Sequence, residues 1–482
     1  MLAVASTAAN AQDQTGSRGV VITPGLSISE TITNNRNLSS TDRQSDAITQ
    51  ISPSIRISSQ TARLQGTLDY ALNAHAYARD SSRNTVQNAL SASLAAELIE
   101  RHASVNALAS ISRQSISAFG VQSSTNSAFN PNRAEVRTYS VSPVLRGNVG
   151  GAIDLEARAS YGRSTGDSDR APDSTFTSAS VSATGQVGRV GWGLNAGKST
   201  ADYHAGRRTT QDNAGGSLNW SPLPDFRLSA RAGRESNDVL SVQSRTTSSY
   251  GAGVEWQPSE RTQLSARADR RYFGNGHNLS FSTRMRGSVW RFADSRDVNS
   301  NDGGASGTNA VTAYNNLFAQ LASLVPDPLQ RDQLVRSLLA SQGGFLTNAV
   351  TLQRRQDASF ALQGLRTSFT ASLFRSDTRR LDNLSTALDD LALVDRIRQH
   401  GYGVNASYRL PQGSTVNLGY NRTSTADSGA QRGNDQRNFS LSMSTQIALR
   451  TSLSLSLRHV VFESVVQPYN ESGAAATLSF QF

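Results

Sequence analysis

Apolar and polar residues alternate along almost the whole chain. Near the C-terminus, Phe439, Leu441, Met443, Ile447 and Leu449 take odd positions, with Ser440, Ser442, Ser444 and Gln446 between them. After a tight turn at Arg450-Thr451, Leu453, Leu455 and Leu457 alternate with Ser452, Ser454 and Ser456. Successive side chains of a β-strand point to opposite faces, so each run predicts a strand with one apolar and one polar face. The pattern recurs far upstream, where Ile153, Leu155, Ala157, Ala159 and Tyr161 oppose Asp154, Glu156, Arg158 and Ser160. About twenty such runs extend from 19–33 and 46–58, through 246–257, 261–273, 277–291, 350–364 and 366–377, to 451–463 and 472–482. Most hold about 10–15 residues, whereas soluble strands average about 5–6 and a tilted membrane-crossing strand needs about 9–11.

The connections follow a rhythm of their own. Tight turns at 147–151, 188–189, 258–261, 411–414 and 449–451 alternate with long polar links at 34–45, 114–135, 164–174, 203–209, 237–246 and 425–436. Short turns on one side and longer loops on the other are the asymmetry of outer-membrane barrels. Outward Leu, Val, Ala and Tyr can then be buried only against lipid, because opposite faces full of Ser, Asn, Arg and Asp cannot pack a dry core. Backbone groups in hydrocarbon must all be paired, so the sheet must close. The expected fold is all-β, a transmembrane antiparallel β-barrel of about 18–20 strands in the bacterial outer membrane. Residues 12–482 form it as a single domain.

One repeat is visible in letters, WSPLPDFRLSARAGR at 220–234 and WQPSERTQLSARADR at 256–270. Its period is one hairpin plus an outer loop. Trp220 and Trp256 thereby fall at a strand end just before a short turn, at the membrane–water interface where an indole ring sits well. The chain closes on Leu478-Ser479-Phe480-Gln481-Phe482. An alternating strand with a terminal Phe resembles the signal that hands outer-membrane proteins to the barrel-assembly machinery, with Phe480 and Phe482 as its apolar positions. At the other end, Leu2 to Ala8 is a short stretch of small and apolar residues, and Ala9-Asn10-Ala11 before Gln12-Asp13 fits an A-x-A cleavage site. Residues 1–11 thus read as the remnant of a signal peptide that lacks its basic region; a frayed, Ala-rich terminus is the alternative.

Between 292 and 349 the alternation stops. Val311, Tyr314, Leu317, Phe318, Leu321, Leu324 and Val325 recur at helical spacing. Asp327-Pro328 reads as the N-cap and first position of a second helix with Leu334, Val335, Leu338 and Leu339 on its apolar face, ended by Gly343-Gly344. A helical hairpin insertion near 309–342 is expected, folded into the lumen, against the rim, or docking a partner. Short turns keep phase from 58–62 to 258–261 and again from 364 onward, but the two halves disagree by one strand. Either one run between 261 and 364 is misread, or the insertion carries the chain from one mouth to the other. Even strand numbers favour the misread run, with a total of about 18–20.

Composition narrows the function. The 482 residues include no Cys, which excludes disulfides and thiolate metal sites. No stretch approaches about 18 consecutive apolar residues, so no transmembrane helix is expected beyond a cleaved leader. The formal net charge is +10, and Lys198 is the only lysine among 47 basic residues. The Arg residues are spread evenly, so nucleic acid is not an expected partner. Alternation puts Arg227, Arg231, Gln263, Arg267, Asp269 and Arg271 on inward faces, with Arg284 and Arg286 on the next strand and Asp154 and Glu156 elsewhere. The lumen is then mixed in sign with Arg in excess. These groups either pair across the lumen and stiffen the wall, or set a positive field that admits anions. Guanidinium groups would offer an acidic polysaccharide weak, repeated contacts.

His75, His102, His204, His277, His400 and His459 show no metal-pair spacing, and neither a local Ser/His/Asp set nor a Gly-rich phosphate loop stands out. No enzymatic activity, catalytic residue, metal or cofactor is expected. Strands begin by residue 20, so a plug domain of the kind a TonB-dependent transporter carries before its barrel is not expected.

Tyr272-Phe273-Gly274-Asn275 leads into 279–290, Leu324-Val325-Pro326-Asp327-Pro328 lies in the insertion, and Phe345-Leu346-Thr347-Asn348 and Leu352-Gln353-Arg354-Arg355 follow it. In these residues the chain resembles the outer-membrane β-barrel family associated with PEP-CTERM/exosortase and exopolysaccharide systems. The resemblance covers most of the chain and is most specific over 254–376. It implies a role in surface polysaccharide export or assembly and carries no functional residues with it.

The leading expectation is an outer-membrane channel for an exopolysaccharide, acidic or neutral, guided passively through an Arg-biased lumen and gated by 309–342. A non-conducting surface scaffold acting through loops 114–135 and 292–349, and a general small-solute porin, are the alternatives. Outer-membrane lipid, the barrel-assembly machinery and periplasmic export components are the other expected partners.

Overall fold

The computed structural model describes residues 19–125, 129–168, 173–204, 206–299, 344–347, 349–382, 389–411 and 413–482. Every strand joins one antiparallel sheet of 22 strands. The first five are β1 (Val20–Thr33), β2 (Asp46–Gln60), β3 (Leu64–Tyr77), β4 (Thr85–Ile99) and β5 (Ala103–Ser115). Then come β6 (Arg133–Val149), β7 (Ile153–Gly166), β8 (Ser174–Val187), β9 (Val190–Tyr203), β10 (Thr209–Leu223), β11 (Phe226–Asn237) and β12 (Arg245–Ser259). β13 (Thr262–Arg271), β14 (Gly274–Met285), β15 (Ser288–Asn299), β16 (Thr351–Gln363) and β17 (Thr367–Arg380) follow. The last are β18 (Arg396–Arg409), β19 (Thr415–Thr425), β20 (Asn434–Ala448), β21 (Thr451–Ser464) and β22 (Tyr469–Gln481). β1 pairs with β22 from Gly25↔Gln481 to Thr33↔Gly473, and this seam closes the barrel and removes both sheet edges.

The strand number is 22, not 18–20. The run at 277–291 holds two strands, joined by a turn at Arg286-Gly287 where Met285 opposes Ser288 and Gly287 takes a φ of +81°. Alternation hid this turn because Val289 continues the odd-numbered apolar series of Leu279, Phe281 and Met285. The exposed aromatic residues after the turn are instead Trp290 and Phe292. β15 runs on to Asn299, which opposes Thr351, so the interruption begins at 300 and not at 292. The chain leaves and re-enters the wall at the same mouth. The helical hairpin expected over 309–342 and the segment 1–11 lie outside the described residues. Tyr272-Phe273 forms a tight turn at the long-loop mouth, with Arg271 opposite Gly274.

Register assigns the faces. Leu453, Leu455 and Leu457 lie opposite Leu478, Ala476 and Ala474 on β22 and share the outer wall with Leu441 and Met443. On β12, Tyr250 and Trp256 bracket Ala252 and Val254; on β18, Tyr402 and Tyr408 bracket Val404 and Ala406. Such a six-residue span is roughly 20 Å along a strand at about 3.3 Å per residue, close to the height of an outer-membrane apolar band. Trp192, Trp220, Trp256 and Trp290, all the tryptophans of the chain, sit near the short-turn ends of their strands. Trp220 and Trp256 are about half exposed there. All four thus lie towards one end of the barrel.

Towards the long-loop mouth the two faces exchange character. On β21 the outward Leu453, Leu455 and Leu457 give way to inward Val460 and Phe462, each 1% exposed. Ala134 and Val136 on β6, Ala201 and Tyr203 on β9, Phe374 on β17 and Ile397 on β18 are likewise buried on the inner wall. Loops folded into the mouth pack on Val460, Phe462, Ala134, Val136, Ala201, Tyr203 and Ile397, while Phe374 lies under Arg355 of β16.

Candidate pore and its covered mouth

The β5–β6 loop carries most of this cover. Ala118 and Phe119 pack with Leu391, Val394 and Ile397, while Val121 packs with Leu38, Val460, Phe462 and Tyr469. The carbonyl of Ala118 accepts from Thr425 Oγ1 at 3.2 Å and from Asn434 Nδ2 at 3.0 Å, on β19 and β20. Tyr469 Oη on β22 donates to the carbonyl of Gln122 at 2.5 Å. The loop thus spans from β5 to β19, eight strands round the ring through the β1–β22 seam. At about 4.8 Å per strand that is an arc of roughly 40 Å. Its own shape is held by Asn132, which donates from Nδ2 to the carbonyls of Ser117 and Val121 at 2.9 and 3.1 Å.

Two further loops lock against it. The β17–β18 loop contains one helical turn, Asp390–Leu393. Asp390 Oδ2 accepts from Ser117 Oγ at 3.0 Å and from the Ala118 amide at 2.7 Å. Burial pushes the Asp390 carboxyl up from its ordinary pKa, the two donated hydrogen bonds pull it down, and neighbouring Asp389 adds to the rise. The segment before β16 contributes Phe345, packed on the Leu391 cluster, and Leu346, buried with Ala134 and Val136. The Leu346 amide donates to the carbonyl of Ser115 at 3.0 Å, and Thr347 Oγ1 donates to Asp389 at 2.6 Å. Nearby, Arg207 pairs with buried Asp382 at 3.5 Å and donates to the carbonyl of Val239 at 3.1 Å. The result is an apolar, hydrogen-bonded cover built wholly from the barrel's own loops.

Below the cover the inner wall is wet and charged. Arg227, Arg231, Arg267, Arg271 and Arg284 alternate with outward Leu228, Ala230, Ala266, Ala268 and Met285, and so face the lumen. Arg227 pairs with Glu255 at 3.4 Å, and Arg271 with Glu235 at 2.8 Å and Asp297 at 3.0 Å. Arg267 stands 4.0 Å from Asp269. Partners come from the same or nearby strands, so pairing runs along the wall and not across the lumen. Arg231 and Arg284 make no ion pair among the described residues. Arg286 is not on the wall at all; it occupies the turn before β15. On β6 and β7, Glu156 is held by Arg146 at 3.1 Å and Arg158 at 3.3 Å, and Asp154 accepts from Asn148 at 2.8 Å. Net positive charge therefore concentrates in the β11–β14 sector.

Phe480 lies opposite Leu26 and Thr451 on the outer wall, and the Phe482 amide donates to the carbonyl of Pro24 at 3.0 Å, so both close the seam at the short-turn end. Sequence reasoning missed the inner-wall residues Val460, Phe462 and Tyr469. The signal was present as a change of parity within one run, from odd-numbered Leu453 to Leu457 to even-numbered Val460 and Phe462.

No family model and no curated protein matches the chain. Among solved structures, it is similar to the ferric-catecholate import receptor Fiu of E. coli K12, with a TM-score of 0.51 and 8% identity over 95% of this chain and 81% of the receptor. A mutant of the ferric enterobactin receptor PfeA of Pseudomonas aeruginosa superposes with a TM-score of 0.50 and 9% identity over 96% and 80%. OccK8 (OprE) of the same organism matches with a TM-score of 0.34 and 11% identity over 96% and 98%. The two receptors share the architecture, and the chain is a large β-barrel of the outer-membrane class.

Proposed function

We propose that this barrel is a channel for a surface polysaccharide, exported or assembled by a PEP-CTERM-type system, with the loop cover as its gate. One observation carries the reading: the β5–β6 loop reaches β19–β22 across a wide mouth, and on the lumen wall Arg231 and Arg284 make no ion pair among the described residues. Barrels of about 16–18 strands already leave an aqueous channel, so a bore of 22 suits a bulky solute and a removable cover. Repeated guanidinium contacts would guide an acidic glycan without trapping it. The resemblance supports this, since Phe345, Leu346 and Thr347, which carry part of it, hold the gate.

The test is planar-bilayer conductance of the refolded protein carrying Ser117→Cys with Asp390→Cys. The chain has no other Cys to interfere. A low conductance under oxidising conditions that rises on reduction, and is then reduced more by acidic than by neutral oligosaccharides, is the expected result. Negligible conductance in both states, and after deletion of 309–342, would favour the non-conducting scaffold. A high conductance indifferent to the lock would indicate a general porin.

A further inference from the structure

The outer wall carries chemistry that the pore does not use. On β15, β17, β18 and β20 the outward apolar band ends at Phe292, Leu373, Tyr402 and Phe439. The outward positions beyond them, towards the long-loop mouth, are mostly charged. They include three arginine pairs directly opposite one another on adjacent strands: Arg296↔Arg354, Arg379↔Arg396 and Arg422↔Arg437. Like charges placed opposite on one sheet face repel and weaken the ladder, so three such pairs on neighbouring strands call for compensation.

Carboxylates supply only part of it. Asp294 holds Arg354 at 2.9 Å, Asp377 holds Arg396, and Asp435 holds Arg422 at 2.7 Å and Arg437 at 3.1 Å. Arg375, Arg379 and Arg398, on the same face, make no ion pair among the described residues. A cleft of about 340 Å³ opens in the middle of this sector, lined by Arg296, Arg354, Arg379 and Arg396 together with His277, Leu352 and one carboxylate, Asp377. Outward charges occur elsewhere near this mouth, as in Glu30 opposite Thr49, Arg113 opposite Glu135 and Lys198 opposite Asp212, but among the described residues arginine faces arginine only in this sector.

We propose that this sector binds a phosphorylated glycolipid of the outer leaflet, engaging two or more phosphates through its arginine pairs. The geometry selects a lipid over a dissolved anion. The cleft lies on the lipid-facing wall, immediately above apolar Phe292, Ala358, Leu373 and Val404, where acyl chains pack and headgroup phosphates are presented. A guanidinium fork matches a phosphate bidentately, and a dianion between two facing forks turns their repulsion into attraction. The site is independent of what the lumen transports.

Native mass spectrometry of the refolded barrel in detergent tests this, with diphosphorylated lipid A, its dephosphorylated derivative and inorganic phosphate as probes. The diphosphorylated lipid is expected to bind at least about tenfold more tightly than the dephosphorylated one, and Arg379→Gln with Arg398→Gln to lose about tenfold. Arg379→Lys with Arg398→Lys should recover only part of the loss, because an ammonium is a point charge. Equal retention of the two lipids, unchanged binding in the Gln variant, or full displacement by millimolar inorganic phosphate would each overturn the proposal. Should the Gln variant lose its heat-modifiable gel mobility, the wild-type lipid comparison decides alone.

Discussion

The two halves of one strand, β21, obey opposite rules. In the half near the short turns, Leu453, Leu455 and Leu457 point outward and Ser452, Ser454 and Ser456 line the lumen. In the half near the long loops, Val460 and Phe462 point inward and are buried, whereas His459 and Glu463 point outward. The backbone ladder is continuous through both halves, so nothing in the sheet itself changes. What changes is the solvent on each face. Low on the wall, lipid lies outside and water inside; high on the wall, headgroups lie outside and a packed loop cover inside. Hydrophobicity follows the neighbouring medium, not the direction the side chain points.

Breaking the upper half should cost most. Phe462→Ala removes a ring stacked on Tyr469 with centroids 5.3 Å apart. Burial of this kind predicts a loss of about 3–5 kcal/mol in denaturant unfolding, with a rise in conductance as the cover loosens. In the lower half, Leu455→Arg should destabilise the barrel in lipid vesicles by about 2–4 kcal/mol, and Ser454→Arg, one residue away on the lumen face, by close to nothing. Equal effects of those two variants would show that the faces are misassigned.

Asp390 sharpens the comparison, because it is a partly buried carboxyl in the cover rather than on the wall. Asp390→Ala leaves Ser117 Oγ and the Ala118 amide without an acceptor, a loss of about 1–3 kcal/mol of loop stability, while Asp390→Asn keeps an acceptor and loses less. Its carboxyl pKa is raised in the folded protein, so the folded cover binds that proton more tightly than the unfolded chain does. The resulting stabilisation is complete below the ordinary carboxyl value and fades as pH rises through the raised one. Mild acid should therefore close the channel, visible as a lower open probability that Asp390→Asn abolishes. The smallest effect belongs to the lumen: Arg231→Gln should shift the reversal potential towards cations with no measurable change in stability.

Much of this was legible in the letters. Alternation located nearly every strand, the repeat placed Trp220 and Trp256 near the short-turn ends of their strands, and inward arginines such as Arg227 and Arg267 followed from parity alone. The strand total was not legible, because a turn as short as Arg286-Gly287 leaves the local pattern almost intact and Val289 masks the change of phase. Nor was the cover. Phe345 and Ala118 look like unremarkable loop residues until the ring brings them to Leu391 and Asn434.

Taken alone, then, the order of residues determined which segments are strands, which of their faces meets lipid, and on which side the short turns lie, since each depends on neighbours one to a few positions apart. Closure of the ring decided the rest: how many strands share the wall, which loops fill the mouth, and which arginines stand face to face on the outside. Those outcomes depend on partners as far apart in the chain as Ala118 and Asn434, or Ile28 and Leu478, and no local periodicity records which distant segment becomes a neighbour.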